Sequence, residues 1–198
     1  LRWAQADVFP SMARNKVLPA VQYTAQQRAY DPLKDYLDGL VWDEEERLDF
    51  WLTDYLGAAG NADYIKAIGR MWLISAVARA YDPGCQADHM LVLEGAQGLY
   101  KSSALRALVP FEDWFSDDIS SMRGDKDDKL ALHGRWIIEV KELEALRKAE
   151  IGSIKSFIDT RIDKIRVPYG RSVQSFHRRC VLAGTYNPTG HGYLKDAS

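Results

Sequence analysis

The chain has 198 residues, with 26 Lys and Arg against 28 Asp and Glu and a formal net charge of −2. That balance excludes a globally basic field, so any contact with a polyanion has to come from a local patch. Hydrophobic residues make up 46%, which excludes a chain too polar to bury a core, and no apolar run approaches the ~20 residues of a membrane span.

Residues 1–30 have weak periodicity and two prolines, Pro10 and Pro19, and read as a partly helical lead-in. Leu1-Arg2-Trp3 has no signal-peptide layout, and the missing initiator Met points to an excised fragment. Residues 31–86 read as a small helical domain. Asp31-Pro32 is a good helix start, with Leu33, Tyr36, Leu37 and Leu40 recurring at helical spacing. Leu48, Trp51, Leu52, Tyr55 and Leu56 form a second stripe. After the break at Gly57–Asn61, a third helix runs from Tyr64 to Arg79 and ends at the turn Asp82-Pro83-Gly84. Cys85 and Cys180 fit no metal spacing and read as buried thiols in a reducing cytosol, which sets a cytoplasmic expectation.

The texture changes in residues 87–198. Met90-Leu91-Val92-Leu93, Trp136-Ile137-Ile138-Glu139-Val140 and Cys180-Val181-Leu182-Ala183-Gly184 are short apolar runs that suit buried strands. Ser102–Leu108 and Glu142–Phe157 are helical in pattern. Ile165-Arg166-Val167 and Val173–Phe176 flank the turn-like Pro168-Tyr169-Gly170-Arg171, which predicts a β-hairpin. Asp125-Lys126-Asp127-Asp128-Lys129 lacks the later Glu of a calcium loop and reads as a helix start. Apolar strands alternating with helices predict an α/β fold with a parallel sheet core.

One motif carries chemistry. Gly95-Ala96-Gln97-Gly98-Leu99-Tyr100-Lys101-Ser102, followed by Ser103, joins a strand to a helix and keeps the Gly, Lys and Ser of a phosphate-binding P-loop (Walker A) at the required spacing. In such a loop the backbone N–H groups face phosphates, the lysine reaches the outer phosphates and the hydroxyl completes a Mg²⁺ shell. The expected cofactors are therefore ATP and Mg²⁺. Tyr100 stands where the motif has its second glycine. If that position needs φ > 0, Tyr costs about 1 kcal/mol or more, and its ring either clashes with the loop path or fills the phosphate pocket.

A nucleotide hydrolase also needs an acid at a strand end. Glu139 closes an apolar run and is the candidate metal and water partner with Ser102; otherwise it is a solvated strand end. Glu142 lies one helical turn on as a candidate base, although acids at a helix start are favoured for the dipole alone. Asn187, leaving the third strand before Pro188, is the candidate for positioning the attacking water, or else a turn-starting Asn.

Several collinear runs resemble the virulence-associated protein E family: Leu93–Gly98, Trp136–Glu144, Val167–Arg171, Gly184–Asn187 and the upstream stretch from Trp42 to Cys85. That family belongs to phages, prophages and pathogenicity islands. The resemblance implies an AAA+-like superfamily III helicase ATPase, often linked to a primase domain and to replication initiation, working as a homo-oligomeric ring on single-stranded or origin DNA without membrane contact. It implies that Lys101 and Ser102 are phosphate and Mg²⁺ ligands, that Glu139 with Glu142 forms the second acidic motif, and that Asn187 is the sensor. It also implies that Arg166, Tyr169 and Arg171 of the hairpin meet DNA, with Arg166 and Arg171 on its phosphates or reaching a neighbour's nucleotide. Family members carry Gly at the position of Tyr100 and continue past the position of Ser198 into an arginine-bearing stretch, two departures that bear on hydrolysis.

Arg161, Lys164, Arg166, Arg171, His177, Arg178 and Arg179 form the densest basic stretch, interleaved by Tyr169 and Phe176 and opposed only by Asp163. A groove for single-stranded backbone has this composition, as does a hairpin edge blunted by charge. The expected function is an ATP-binding, DNA-associated ATPase of mobile-element replication. The alternatives are a non-catalytic regulatory or DNA-binding module with a decayed nucleotide site, and a P-loop kinase, against which the basic hairpin weighs.

Overall fold

The computed structural model describes residues 14–119, 122–141, 143, 151–166 and 173–188. The chain forms two compact units, Leu1–Val41 and Trp42–Ser198. The first contains α1 (Arg14–Gln27), which carries Pro19, and α2 (Pro32–Asp38). Asp31 caps α2 through its side chain, which accepts from the Lys34 N–H at 3.3 Å, and Pro32 takes the first helical position.

The second unit opens with α3 (Trp51–Asp54) and α4 (Ala62–Tyr81). The apolar stripe from Leu48 to Leu56 predicts a longer helix than the single turn found. Phe50 offers no capping side chain, and Gly57, at φ +64°, turns the chain away soon after. Asn61 caps α4 by accepting from the Tyr64 N–H at 3.0 Å. The buried face of α4 runs through Ile65, Gly69, Trp72, Ala76 and Ala80, the three-to-four spacing of one helix side. Gly69 sits where α3 crosses, and a Cβ there would meet Leu52 Cδ1 and Trp51 Nε1 at 2.8 Å. A side chain at that position would force Leu52 and Trp51 to shift.

Four strands make a parallel sheet in the order β1 (Met90–Glu94), β6 (Val181–Tyr186), β3 (Ile137–Val140), β2 (Phe115–Ile119). All six residues of β6 and all four of β3 are buried, as strands covered on both faces must be. β2 is not evident from the sequence because Asp117 and Asp118 interrupt its apolar pattern. Between the strands lie α5 (Lys101–Ala107), α6 (Lys126–Leu132) and α7 (Ile151–Asp159). Asp125 caps α6, accepting from the Asp128 N–H at 2.8 Å. β4 (Ile162–Ile165) and β5 (Gln174–His177) pair antiparallel as the arms of a hairpin, and the intervening tip falls outside the described residues.

Two tryptophans join α4 to the sheet. Trp72 Nε1 donates to Leu182 O at 2.8 Å, and Trp136 Nε1 donates to Ala76 O at 2.9 Å. Both rings are buried. The segment 31–86 is thus not a body of its own: α2 lies in the first unit, while α3 and α4 fold with the sheet. Leu182, Ile138, Val140, Ile119, Leu143 and Phe157 centre the core of the second unit.

Candidate functional site

In an open parallel sheet, ligand groups collect outside the carboxyl ends of the strands. There, β1 delivers the loop Gly95–Tyr100, β3 delivers Glu139 and β6 delivers Thr185 and Asn187. Because β6 lies between β1 and β3, Glu139 is not on the strand next to the loop. It is brought to it by side-chain reach.

The loop leads into α5. Gly98 has φ +88°, and Tyr100 has φ +54° and ψ +28°. Tyr100 therefore holds the left-handed conformation in which glycine is at ease and an L-residue is strained. Its ring is 79% exposed. The chain keeps the left-handed path and turns the ring to solvent, so Tyr100 does not fill the loop.

Lys101 folds back over the loop. Its Nζ donates to Gly95 O at 2.8 Å, Ala96 O at 2.9 Å and Asn187 Oδ1 at 2.8 Å. An ammonium has three protons, and each finds an oxygen. On the next residue, Ser102 Oγ donates to Glu139 Oε1 at 2.6 Å, and Thr185 Oγ1 donates to the same oxygen at 2.9 Å. Glu139 is fully buried, and its Oε2 has no hydrogen-bond partner among the described residues. A buried carboxylate oxygen without a donor is costly unless something else meets it. Gln97, Gly98 and Leu99 are exposed, as is Ser103 on α5, outside this cluster. Glu142 lies outside the described residues.

Beside the cluster, Asp117 of β2 joins α5 and β3 to one another through Arg106 and Lys141. Lys141, hydrogen-bonded to Asp117, holds that carboxyl below its ordinary range, and Asp117 in turn raises the Lys141 ammonium. Thr185 is the residue that sequence reasoning missed. Its only signal was a hydroxyl inside an apolar strand.

The basic stretch divides. Arg178 is buried and makes a two-pronged pair with Asp163 at 2.6 and 3.0 Å, lies over the Phe157 ring and donates to Phe157 O. It belongs to the interior and not to a groove. Phe176 packs edge-on against His133 at 4.4 Å, and Arg179 Nη2 donates to Ala80 O at 3.0 Å. Lys164, Arg166 and His177 are exposed on the hairpin arms. Tyr169 and Arg171 lie outside the described residues.

The Virulence-associated protein E-like domain matches residues 37–198, most of the chain. The chain belongs to that family. No curated protein sequence matches it. Among solved structures, the virulence-associated protein E-like chain is similar to "The apo structure of NrS-1 C terminal region (305-718)", with a TM-score of 0.50 and 18% identity over 75% of this chain and 35% of that one. A second structure of the same region, its A form, gives a TM-score of 0.48 at 18% identity over 73% and 33%. The chain thus spans about a third of the structures it matches. At this identity the likeness is one of fold. No described helix of the family member is long and apolar enough to cross a membrane.

Proposed function

We propose that the second unit is a P-loop ATP-binding core, AAA+-like and of superfamily III helicase type, serving DNA replication in a phage or related mobile element. The observation that carries this reading is the hydrogen bond between Ser102 and Glu139 at 2.6 Å, with Glu139 Oε2 left bare in a buried setting. A hydroxyl lone pair and an unpartnered carboxylate oxygen are hard oxygen donors of the kind that suit Mg²⁺, either directly or through its waters. Mg²⁺, when bound, supplies charge neutralisation between phosphates.

The chain's own groups take the remaining roles. The Gly95–Tyr100 backbone wraps the phosphates, and Lys101 exchanges its three oxygens for phosphate oxygens. Asn187, released from Lys101, orients the attacking water. Glu139 accepts a hydrogen bond from that water or from the metal's shell. Arg166 on the hairpin, with Tyr169 and Arg171 further along the sequence, meets single-stranded or origin DNA, and the working form is a homo-oligomeric ring. The virulence-associated protein E-like family membership supports this reading.

Calorimetric titration of the whole chain with ATP tests it, with and without Mg²⁺. The expected result is Mg²⁺-dependent binding by the unaltered protein, lost in Lys101→Ala. No binding by either the unaltered protein or Tyr100→Gly would favour the non-catalytic module with a decayed site. The DNA claim is checked by the salt dependence of single-stranded DNA binding, which should flatten in Arg166→Ala with Arg171→Ala.

A further inference from the structure

The mechanism above uses Ser102, Glu139 and Asn187 and leaves Thr185 without a role. Thr185 sits in β6, one strand over from Glu139 in β3, and is buried. Its hydroxyl donates to Glu139 Oε1 at 2.9 Å. That oxygen already accepts from Ser102 at 2.6 Å. Two donors therefore converge on one oxygen while Oε2 has none. A carboxylate held by one donor can turn about its last torsion and exchange its two oxygens. Held by two donors, one on α5 and one on β6, it is pinned on Oε1, and Oε2 is left for another partner.

We infer that Thr185 is a positioning residue: it locks the Glu139 carboxylate so that Oε2 is presented to the divalent cation. The inference rests on the nucleotide-site reading above and goes further than it. Ser102 is expected to direct its lone pairs at the cation, so its hold on Glu139 is shared between two tasks. Thr185 has no such competing task and supplies the hold that stays constant. Residues that orient a metal-facing carboxylate without touching the metal typically change metal affinity by 10–100-fold when removed.

The test uses the whole chain and two variants, Thr185→Val, which keeps the shape and loses the donor, and Thr185→Ser, which keeps the donor. Mn²⁺ serves as the probe in place of Mg²⁺, titrated by electron paramagnetic resonance in the presence of saturating ADP. Thr185→Val is expected to weaken Mn²⁺ by about tenfold or more, with ADP affinity in chelator unchanged, and Thr185→Ser to stay near the unaltered protein. Equal Mn²⁺ affinity in all three overturns the inference. So does equal loss in both variants, since that reports packing and not the hydroxyl. If the unaltered protein binds no nucleotide at all, the reading of the site fails separately. The positioning claim is then decided by a thermal-unfolding cycle of Thr185→Val with Glu139→Gln: non-additive shifts in Tm support it, and additive shifts overturn it.

Discussion

The ammonium of Lys101 and the side-chain oxygen of Asn187 lie 2.8 Å apart, across 86 positions of sequence. The bond ties the loop after β1 to the end of β6, the two parallel strands that run side by side. With Gly95 O and Ala96 O it completes the donor set of the lysine. Any anion that recruits Lys101 has to displace these oxygens, so Asn187 sets part of the resistance to binding.

Replacing Asn187 with Asp puts a carboxylate beside that ammonium. A charge-assisted bond is worth about 1.5–3 kcal/mol, so Mg²⁺-nucleotide affinity is expected to fall by about tenfold or more in Asn187→Asp. Asn187→Ala leaves Lys101 with the two carbonyls and should not show that loss. Calorimetry on the three proteins is the measurement, and identical affinities would remove Asn187 from the account of Lys101.

Tyr100 carries a strained backbone at φ +54° while the residue is 79% exposed, so little packing offsets the strain. Tyr100→Gly relieves that strain, an expected gain of about 1 kcal/mol. For a chain of this size that raises Tm by about 2–4 °C. Tyr100→Ala keeps a Cβ in the same conformation and should gain little. A thermal melt in which Ala and Gly behave alike would show that the φ angle is not the cause.

Arg178 and Asp163 form a pair whose side chains are 2% and 5% exposed. Removing one partner strands the other charge in the interior. Asp163→Asn and Arg178→Met are each expected to cost about 3–5 kcal/mol, read as a lower urea midpoint with an unchanged slope. The double replacement should cost less than the two singles summed, because no orphan charge remains. Additive losses in the urea series would contradict a coupled pair.

Asp117 and Lys141 give the stability a pH dependence at both extremes. Asp117 is held below its usual 3.8 by the Lys141 hydrogen bond. Its contribution is present above that value and is lost as pH falls through the lower folded pKa. Lys141 is raised above its usual 10.5 by Asp117, so its contribution is present below 10.5 and is lost as pH rises through the higher folded pKa. Both side chains are partly exposed, which limits the pair to about 1 kcal/mol or less. Asp117→Asn should flatten the acid limb of a stability–pH profile and Lys141→Met the alkaline limb. Profiles superimposable on that of the unaltered protein would dismiss the pair as a pH-sensitive contact.

What the sequence determined by itself is local and periodic. The cap at Asp31, the helix start at Asp125, the turn at Asp82–Gly84 and the apolar runs of β1, β3 and β6 follow from near-neighbour chemistry and side-chain spacing. The left-handed strain at Tyr100 was legible in the same way, since the motif places a glycine there. The strand β2 was not legible, because Asp117 and Asp118 mask its period, and the folded chain meets their charges with Arg106, Lys141 and a Ser116 hydroxyl.

The rest was decided in three dimensions. Sequence put α4 in a helical domain over 31–86, but Trp72 donates to Leu182 O and Trp136 to Ala76 O, which binds α4 to the sheet. It put Arg178 among groove cations, but Asp163 draws it into the interior. It named Ser102 and Glu139 but not Thr185, because a hydroxyl in an apolar strand has no meaning until the register sets β6 beside β3. Strand order and register are non-local properties, settled by how whole faces bury together. They are also what turns 37 positions of separation between Ser102 and Glu139 into a 2.6 Å contact.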